Sequence, residues 1–181
     1  MAVGAELFGE RGVEPTTMDE IARGAGLSRT SVFNYFPYKE AILVEIGAGF
    51  VMEIGAMAAQ HQRRTPRQAL YDLADAIAVL ATRQPGLIAA VAREMLHPDP
   101  GRRRHALLRM RYPTLIEAIL GELVATDRIR HPRRLASHVR QLVDLTGGAV
   151  VRAGGDFPMT QLRTELRANV DLFCDGALRE A

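Results

Sequence analysis

Side chains able to recognise another molecule are concentrated between Thr17 and Lys39, near the start of the chain. Arg29 and Asn34 are residue types that make paired hydrogen bonds to guanine and adenine, and Thr30 can contact the thymine methyl group. Hydroxyl and ammonium groups that suit phosphate oxygens lie on both sides of them. If the fold presents these side chains together, they have the chemistry to bind nucleic acid.

The rest of the chain lacks the motifs of an enzyme. It contains no nucleophile–base pair, no glycine-rich phosphate loop and no HExxH or CxxC metal spacing. The single cysteine, Cys174, excludes an internal disulfide and suits a reducing cytoplasm. We therefore expect a cytoplasmic protein that is not an enzyme and uses no cofactor. The histidines have no metal-ligand spacing: His61, His97, His105, His131 and His138.

Apolar residues recur at helical spacing and strand signals are weak, so we predict an all-α protein of about nine helices. The first covers residues 2–11. Thr17 and Glu20 form a capping box for the second, Gly26 permits a tight turn, and Ser28 caps a third helix that Pro37 ends. The predicted small core of these three helices contains Ile21, Ala22, Leu27, Val32 and Phe36.

The later helices are longer. The fourth runs from near residue 38 toward residue 60, and a helix over 102–126 contains Pro113, which predicts a kink or a restart. The last two span about 133–153 and 160–178. We predict two domains, residues 1–46 and residues 47–181, which the fourth helix joins rigidly because no flexible linker separates them.

Three short helices with a glycine-containing turn are typical of a helix-turn-helix, whose third helix lies in the major groove, although many small bundles share this shape. Four segments are more specific: residues 5–12 (AELFGERG), 16–22 (TTMDEIA), 25–28 (AGLS) and 33–41 (FNYFPYKEA). In order and spacing they resemble the DNA-binding domain of the tetracycline-repressor (TetR) family of transcriptional regulators, over about residues 2–46.

The resemblance implies a homodimer that binds a palindromic double-stranded DNA operator with recognition helices about 34–36 Å apart. It implies that a small-molecule effector moves the fourth helix; repression relieved by the effector is expected first, with activation or corepression as alternatives. Phe33 and Tyr38 depart from the family, which usually has tyrosine and a small capping residue there. The implied DNA contacts are Thr17, Ser28, Arg29, Thr30, Ser31, Phe33, Asn34, Tyr35, Tyr38 and Lys39.

Two features argue against tight DNA binding. Residues 1–50 contain four basic and seven acidic side chains, a net charge of −3, whereas DNA-binding surfaces are usually positive. The first helix also begins abruptly, while family members usually have a longer and often basic lead, so we expect that part of the start is missing here. An interaction protein that no longer binds DNA is therefore one alternative, and an enzyme using a pocket in the second domain is another.

The resemblance further implies that the last two helices of each subunit form a four-helix dimer interface. Each has an apolar stripe, but an amphipathic helix can equally bury that stripe in its own subunit. The predicted interface residues are Leu135, Val139, Leu142, Thr146, Val150, Leu162, Leu166, Val170, Phe173 and Ala177.

An effector pocket is expected among the middle helices. Methionine adapts to irregular ligands, although methionine or tyrosine at helical spacing is more often ordinary core. Asp144 could orient a polar group or could equally be exposed. The candidates are Met52, Met57, Tyr71, Met95, Tyr112, Ile116 and Asp144. No membrane partner is expected, because we find no run of about 18 apolar residues.

Overall fold

A computed structural model describes residues 1–59, 65–125, 129–131, 134–154 and 158–178. Over these residues the fold is all-helical, as predicted, with an isolated antiparallel bridge between Ile129 and Leu178 and a 3-10 helix at Met159–Gln161. The α-helices are α1 (Ala2–Arg11), α2 (Met18–Gly24), α3 (Arg29–Tyr35), α4 (Lys39–Ala58), α5 (Pro66–Arg83), α6 (Pro85–Met95), α7 (Pro100–Met110), α8 (Tyr112–Ala125), α9 (Leu135–Ala153) and α10 (Leu162–Ala177).

The predicted restart near Pro113 divides one expected helix into α7 and α8. Arg111 adopts a left-handed conformation (φ 58°, ψ 19°) between them. A residue with a Cβ atom in that region bears strain of about 1–2 kcal/mol, and Pro113 cannot donate a backbone hydrogen bond to the preceding turn. This break is the reason that the described residues form ten α-helices rather than nine.

Local hydrogen bonds fix the geometry of α2 and α3. The Thr17 hydroxyl accepts from the Glu20 amide (3.2 Å) while the Glu20 carboxylate accepts from the Thr17 amide (2.9 Å), which confirms the predicted capping box. Gly26 turns the chain with a φ of 67°. Ser28 then caps α3 by accepting from the Ser31 amide at 3.0 Å. Helix α3 is therefore held from its first turn.

The small core of the first three helices is as predicted except at one position. Ile21, Ala22 and Val32 are buried and Phe36 is half-buried. Leu27 is 52% exposed, so its assignment to this core is wrong. Leu27 belongs to the turn that follows Gly26 rather than to a packed helix face.

Helix α4 is the central element of the fold. Nine of its residues are buried, and it packs against α1, α5, α6, α7 and α8. By length and composition it could cross a bilayer, with a mean hydropathy of 1.7, although Glu45 and Glu53 interrupt its apolar residues. Its packing against five other helices is that of a core helix in a helical protein.

The apolar stripes of α9 and α10 face the interior of their own subunit, where these helices pack against α5, α6, α8 and each other. A side chain already buried within one subunit cannot form the contact surface for a second. The interface assignment is therefore wrong for nine residues, and only Leu135 is partly accessible. The nine buried residues are Val139, Leu142, Thr146, Val150, Leu162, Leu166, Val170, Phe173 and Ala177.

His138 is a buried titratable group in the packing between α9 and α10. Its imidazole meets the Phe173 ring edge-on, with 5.7 Å between centroids, and its Nε2 atom has no hydrogen-bond partner among the described residues. Burial lowers the pKa of His138 below its usual value of 6.5, against the opposing effect of a backbone hydrogen bond with His131. The fold therefore favours the neutral imidazole.

We predict that the protein loses stability as the pH falls below about 6.5. The unfolded chain then binds a proton that the folded His138 resists, so the free energy of unfolding decreases until the folded-state pKa is passed. Urea unfolding between pH 7.5 and 5.0 measures this. His138→Phe should flatten the profile and His105→Gln, at an exposed position, should not; equal slopes in the two variants would contradict the prediction.

Candidate DNA-binding surface and ligand cavity

The ten residues predicted to contact DNA are contributed by the cap of α2, by α3 with its cap, and by the start of α4. Ser31 and Lys39 are half-buried and the other eight are exposed. Tyr35 is 79% exposed and Tyr38 is 47% exposed, so neither ring contributes to a core. This segment is therefore accessible to a large partner.

Two of the predicted phosphate donors already have partners within the chain. The Thr17 hydroxyl donates to the Glu20 carboxylate at 2.8 Å. The Lys39 ammonium donates to the Glu14 carbonyl at 2.7 Å and lies 3.7 Å from the Glu14 carboxylate. The backbone and hydroxyl hydrogen bonds from Thr17 lower the pKa of Glu20. A phosphate would therefore have to displace these acceptors.

Arg29, which is predicted to contact a base, also has partners within the chain. Its Nη1 atom donates to Asp19 on α2 at 3.1 Å, and its guanidinium carbon lies 5.2 Å from the centroid of the Phe33 ring. Phe33 stands one helical turn after Arg29, so the two side chains share a face of α3. Sequence reasoning identified Arg29 and Phe33 but not Asp19, whose proximity depends on the angle between α2 and α3.

A mostly apolar cavity lies between α4, α5, α6, α8 and α9. Its volume is about 40 Å³, below the usual range for small-molecule pockets, so a ligand larger than a few atoms would have to widen it. Apart from one tyrosine and one threonine, glycine and hydrocarbon side chains line it. The lining residues are Gly47, Phe50, Val51, Ile54, Ile77, Ile88, Val91, Ala92, Met95, Tyr112, Thr146, Gly147 and Val150.

The two polar side chains of the cavity satisfy each other. Tyr112 donates its hydroxyl to Thr146 Oγ1 at 2.9 Å, and Thr146 donates to the Leu142 carbonyl at 2.6 Å. Burial raises the pKa of Tyr112 to about 12, so its hydroxyl stays protonated. With both protons in use, these hydroxyls offer acceptor lone pairs to a ligand but no free proton. Across the described part of the chain, no cluster of three His, Cys, Asp or Glu side chains is placed to hold a metal ion.

Of the seven ligand candidates from the sequence, the structure places Met95 and Tyr112 in the cavity lining. Ile116, one helical turn beyond Tyr112, is fully buried in the core without lining the cavity. Met52 is 77% exposed, because it lies on the outer face of α4. Helical spacing alone did not indicate which face of α4 would be turned inward.

The other three candidates lie elsewhere, so their assignment to this cavity is not supported. Met57 borders a surface groove between α4 and α5. Tyr71 donates to Asp171 on α10 and lies under the Arg167 guanidinium, 5.0 Å from its ring centroid. Asp144 is exposed and pairs with Arg103, where water hydrates its carboxylate, which would be costly to bury.

The cavity residues that sequence reasoning missed are mostly small or aliphatic. A Cβ atom on Gly47 would lie 2.7 Å from Met110 and 2.9 Å from Val91, so this glycine lets α4 approach α6 and α7 closely. Thr146 and Val150 were predicted to be interface residues, yet they line the cavity. The available signal was a glycine within an otherwise apolar helix, at Gly47 and again at Gly147, which marks close helix packing rather than ligand chemistry.

We predict unequal costs for removing the two hydroxyls of the cavity. Thr146→Val leaves the buried Tyr112 hydroxyl without its acceptor and should lower the free energy of unfolding by about 1–3 kcal/mol. Tyr112→Phe leaves Thr146 bonded to the Leu142 carbonyl, so it should cost only about 0.5–1.5 kcal/mol. Urea unfolding of both variants measures the order; a larger loss for Tyr112→Phe would show that this hydrogen-bond chain is misassigned.

Comparison with known families agrees with this geometry. Residues 1–46 match the model for bacterial regulatory proteins of the tetR family. Residues 51–176 match the model for the C-terminal domain of TetR/AcrR family transcriptional repressors. The first match includes the candidate DNA-binding surface, and the second includes the residues of the cavity except Gly47 and Phe50.

Individual relatives are similar to different extents. FadR of Thermus thermophilus, a TetR family transcriptional repressor solved in complex with lauroyl-CoA, is 34% identical over 99% of this chain and 94% of its own, with a TM-score of 0.82. TylP of Streptomyces fradiae, a TetR regulator 18% identical over 98% of this chain and 84% of its own, has a TM-score of 0.72 and shares the fold. The transcriptional repressor KstR2 of Rhodococcus jostii is 38% identical over 52 residues, 29% of this chain and only 26% of its own length. From the two family matches and the likeness to the Thermus repressor over nearly the whole chain, the protein belongs to the TetR family of bacterial transcriptional regulators.

Proposed function

We propose that this protein is a cytoplasmic repressor that binds operator DNA as a homodimer and leaves it when a fatty acyl-CoA binds. In this proposal residues 1–46 contact DNA, while residues 47–181 bind the effector and dimerise. The observation that carries the effector is the cavity, whose lining is hydrocarbon and whose two hydroxyls are bonded to protein. Operator binding, dimerisation and repression are the properties expected of a member of the TetR family.

An acyl chain suits such a cavity better than a polar ligand does. Each buried methylene contributes about 0.8 kcal/mol, whereas a ligand carbonyl buried here would find no free hydrogen-bond donor from Tyr112 or Thr146. The Thermus repressor that is 34% identical to this chain was solved with lauroyl-CoA. The charged CoA portion would remain outside the apolar lining, where water hydrates its phosphates.

Helix α4 supplies the physical connection between effector and DNA. It begins at Lys39 and contributes Gly47, Phe50, Val51 and Ile54 to the cavity lining. Lys39 and Gly47 are eight residues apart, about 12 Å along a helix. An acyl chain that widens the cavity displaces α4 and with it the preceding recognition helix. The effector releases DNA only to the extent that it binds the displaced form more tightly.

The proposed dimer uses the outer face of α9 and α10 instead of their buried stripes. Leu172 is 69% exposed on α10, and the exposed Ala168 and Gly176 lie one turn to either side. Small neighbours permit another helix to approach Leu172 closely. Asn169 on α10 donates to the Leu145 carbonyl on α9 at 3.4 Å, which links the two helices.

The first experiment selects an operator for the purified protein from a random DNA library and measures binding by fluorescence anisotropy with unrelated competitor DNA. We expect a palindromic site that binds two subunits, and release of the DNA by lauroyl-CoA but not by CoA alone. The same acyl-CoA should raise the melting temperature, since a ligand at 100 times its Kd stabilises the bound protein by about 2.7 kcal/mol. Failure to select any site would refute the proposal that the protein is a repressor. Release by CoA alone would refute the proposal that the cavity recognises an acyl chain.

A cavity variant locates the effector. Ala92→Leu adds side-chain volume to the cavity lining on α6, so it should weaken lauroyl-CoA binding at least tenfold while the free protein still binds its operator. Ala90→Leu adds the same volume to the same helix outside the lining and should respond to lauroyl-CoA as the wild type does. Equal effects of the two variants on the acyl-CoA Kd, measured by calorimetry, would place the effector elsewhere.

A second prediction tests the dimer face. Leu172→Glu places a charge at the centre of the proposed interface, so we expect it to shift the protein from dimer to monomer and weaken operator binding. Val79→Glu changes another exposed aliphatic residue, on α5, and should leave the dimer intact. Sedimentation equilibrium measures both, and a Leu172→Glu variant as dimeric as Val79→Glu would contradict this assignment.

A further inference from the structure

The guanidinium group of Arg29 is held from two sides in the absence of DNA. Asp19 on α2 accepts from its Nη1 atom at 3.1 Å, and the Phe33 ring lies under it with 5.2 Å between the guanidinium carbon and the ring centroid. We propose that Asp19 and Phe33 are positioning residues that orient Arg29 toward one guanine of the operator, and that Asp19 also weakens binding to other DNA. This inference rests on the proposed operator binding.

The contacts leave Arg29 able to bind a base. A guanidinium group has five N–H donors in a fixed plane, and the recorded bond to Asp19 occupies one of them. Two others suffice for the paired hydrogen bonds that arginine makes to the O6 and N7 atoms of guanine. Because Asp19 and Phe33 restrict the rotamers of Arg29, less conformational entropy is lost when these bonds form.

The ion pair is better explained by orientation than by stability. The side chains of Arg29 and Asp19 are 69% and 49% exposed, and ion pairs between such exposed groups contribute little to folding free energy. Phe33 is 36% exposed and departs from the tyrosine that the resemblance implies at this position. The loss of a phosphate-binding hydroxyl there leaves an aromatic surface that supports Arg29.

Local charge explains why this orientation matters. Phosphate neutralisation supplies most of the binding energy that is independent of sequence, and residues 1–50 carry seven acidic against four basic side chains. Asp19 is one of these acids and would lie beside the DNA backbone next to Arg29. The surface therefore repels phosphates and depends on its base contacts, which raises the ratio of specific to non-specific affinity.

Two variants of Asp19 separate orientation from charge. Asp19→Asn retains an acceptor for Arg29 without the charge, and Asp19→Ala removes both. Binding is measured for the selected operator, for operators with each base pair replaced in turn, and for unrelated DNA at several salt concentrations. Both variants should bind unrelated DNA several-fold more tightly. Only Asp19→Ala should lose discrimination at one G·C pair in each half-site, by on the order of 5- to 100-fold.

Three further proteins serve as controls. Arg29→Ala should lose the same G·C preference, and adding Asp19→Ala to it should change that preference no further. Glu10→Gln removes one negative charge from the exposed end of α1 and should leave base discrimination intact. To test the Phe33 ring that lies under Arg29, two variants are compared. Phe33→Leu should weaken the G·C preference, whereas Phe33→Tyr should retain it.

The outcomes distinguish this inference from the function on which it rests. If the wild type selects no operator, the repressor proposal fails. If it selects one but Asp19→Ala tightens all DNA equally and every base preference is unchanged, Arg29 leaves Asp19 for a phosphate and the positioning role is refuted. An unchanged preference in the Arg29→Ala variant would refute it as well.

Discussion

The burial of α4 among five other helices is the constraint on which the rest of this structure depends. Its apolar residues are enclosed by α1, α5, α6, α7 and α8, so it cannot move without repacking several helices. Close-packed interiors pass between discrete arrangements instead of deforming continuously. In the proposed mechanism, a ligand that adds volume beside Phe50 or Val51 therefore displaces α4 as a unit instead of deforming it locally.

The sequence predicted the fold well where local signals decide the structure. The capping box at Thr17, the turn at Gly26 and the break at Pro113 all depend on residues within a few positions of one another. It predicted less where the outcome depends on which helix faces meet. The spacing of Leu166 and Val170 indicates a buried face but does not say whether the same subunit or a partner buries it.

The dependence on which helix faces meet also explains why only two of the seven predicted ligand residues, Met95 and Tyr112, line the cavity. Residue type pointed to methionines and to Asp144, yet one methionine is exposed and Asp144 pairs with Arg103 at the surface. The cavity lies where five helices meet, and Gly47 on its border lets Met110 and Val91 pack closely against α4. Such a space results from the meeting of several helices, and no short stretch of sequence encodes it. The contact between Asp19 and Arg29 is hidden in the same way, since it joins two helices across a turn.

The buried stripes of α9 and α10 have a consequence for how the regulator responds to its own abundance. Since these stripes pack within their own subunit, they do not hold the proposed homodimer together, and its association is an equilibrium separate from the packing of that core. Below the dissociation constant of the dimer, the concentration of dimer rises with the square of the total protein concentration. Occupancy of a two-subunit operator then rises more steeply than the amount of protein, so the rate of synthesis becomes a second input beside the effector.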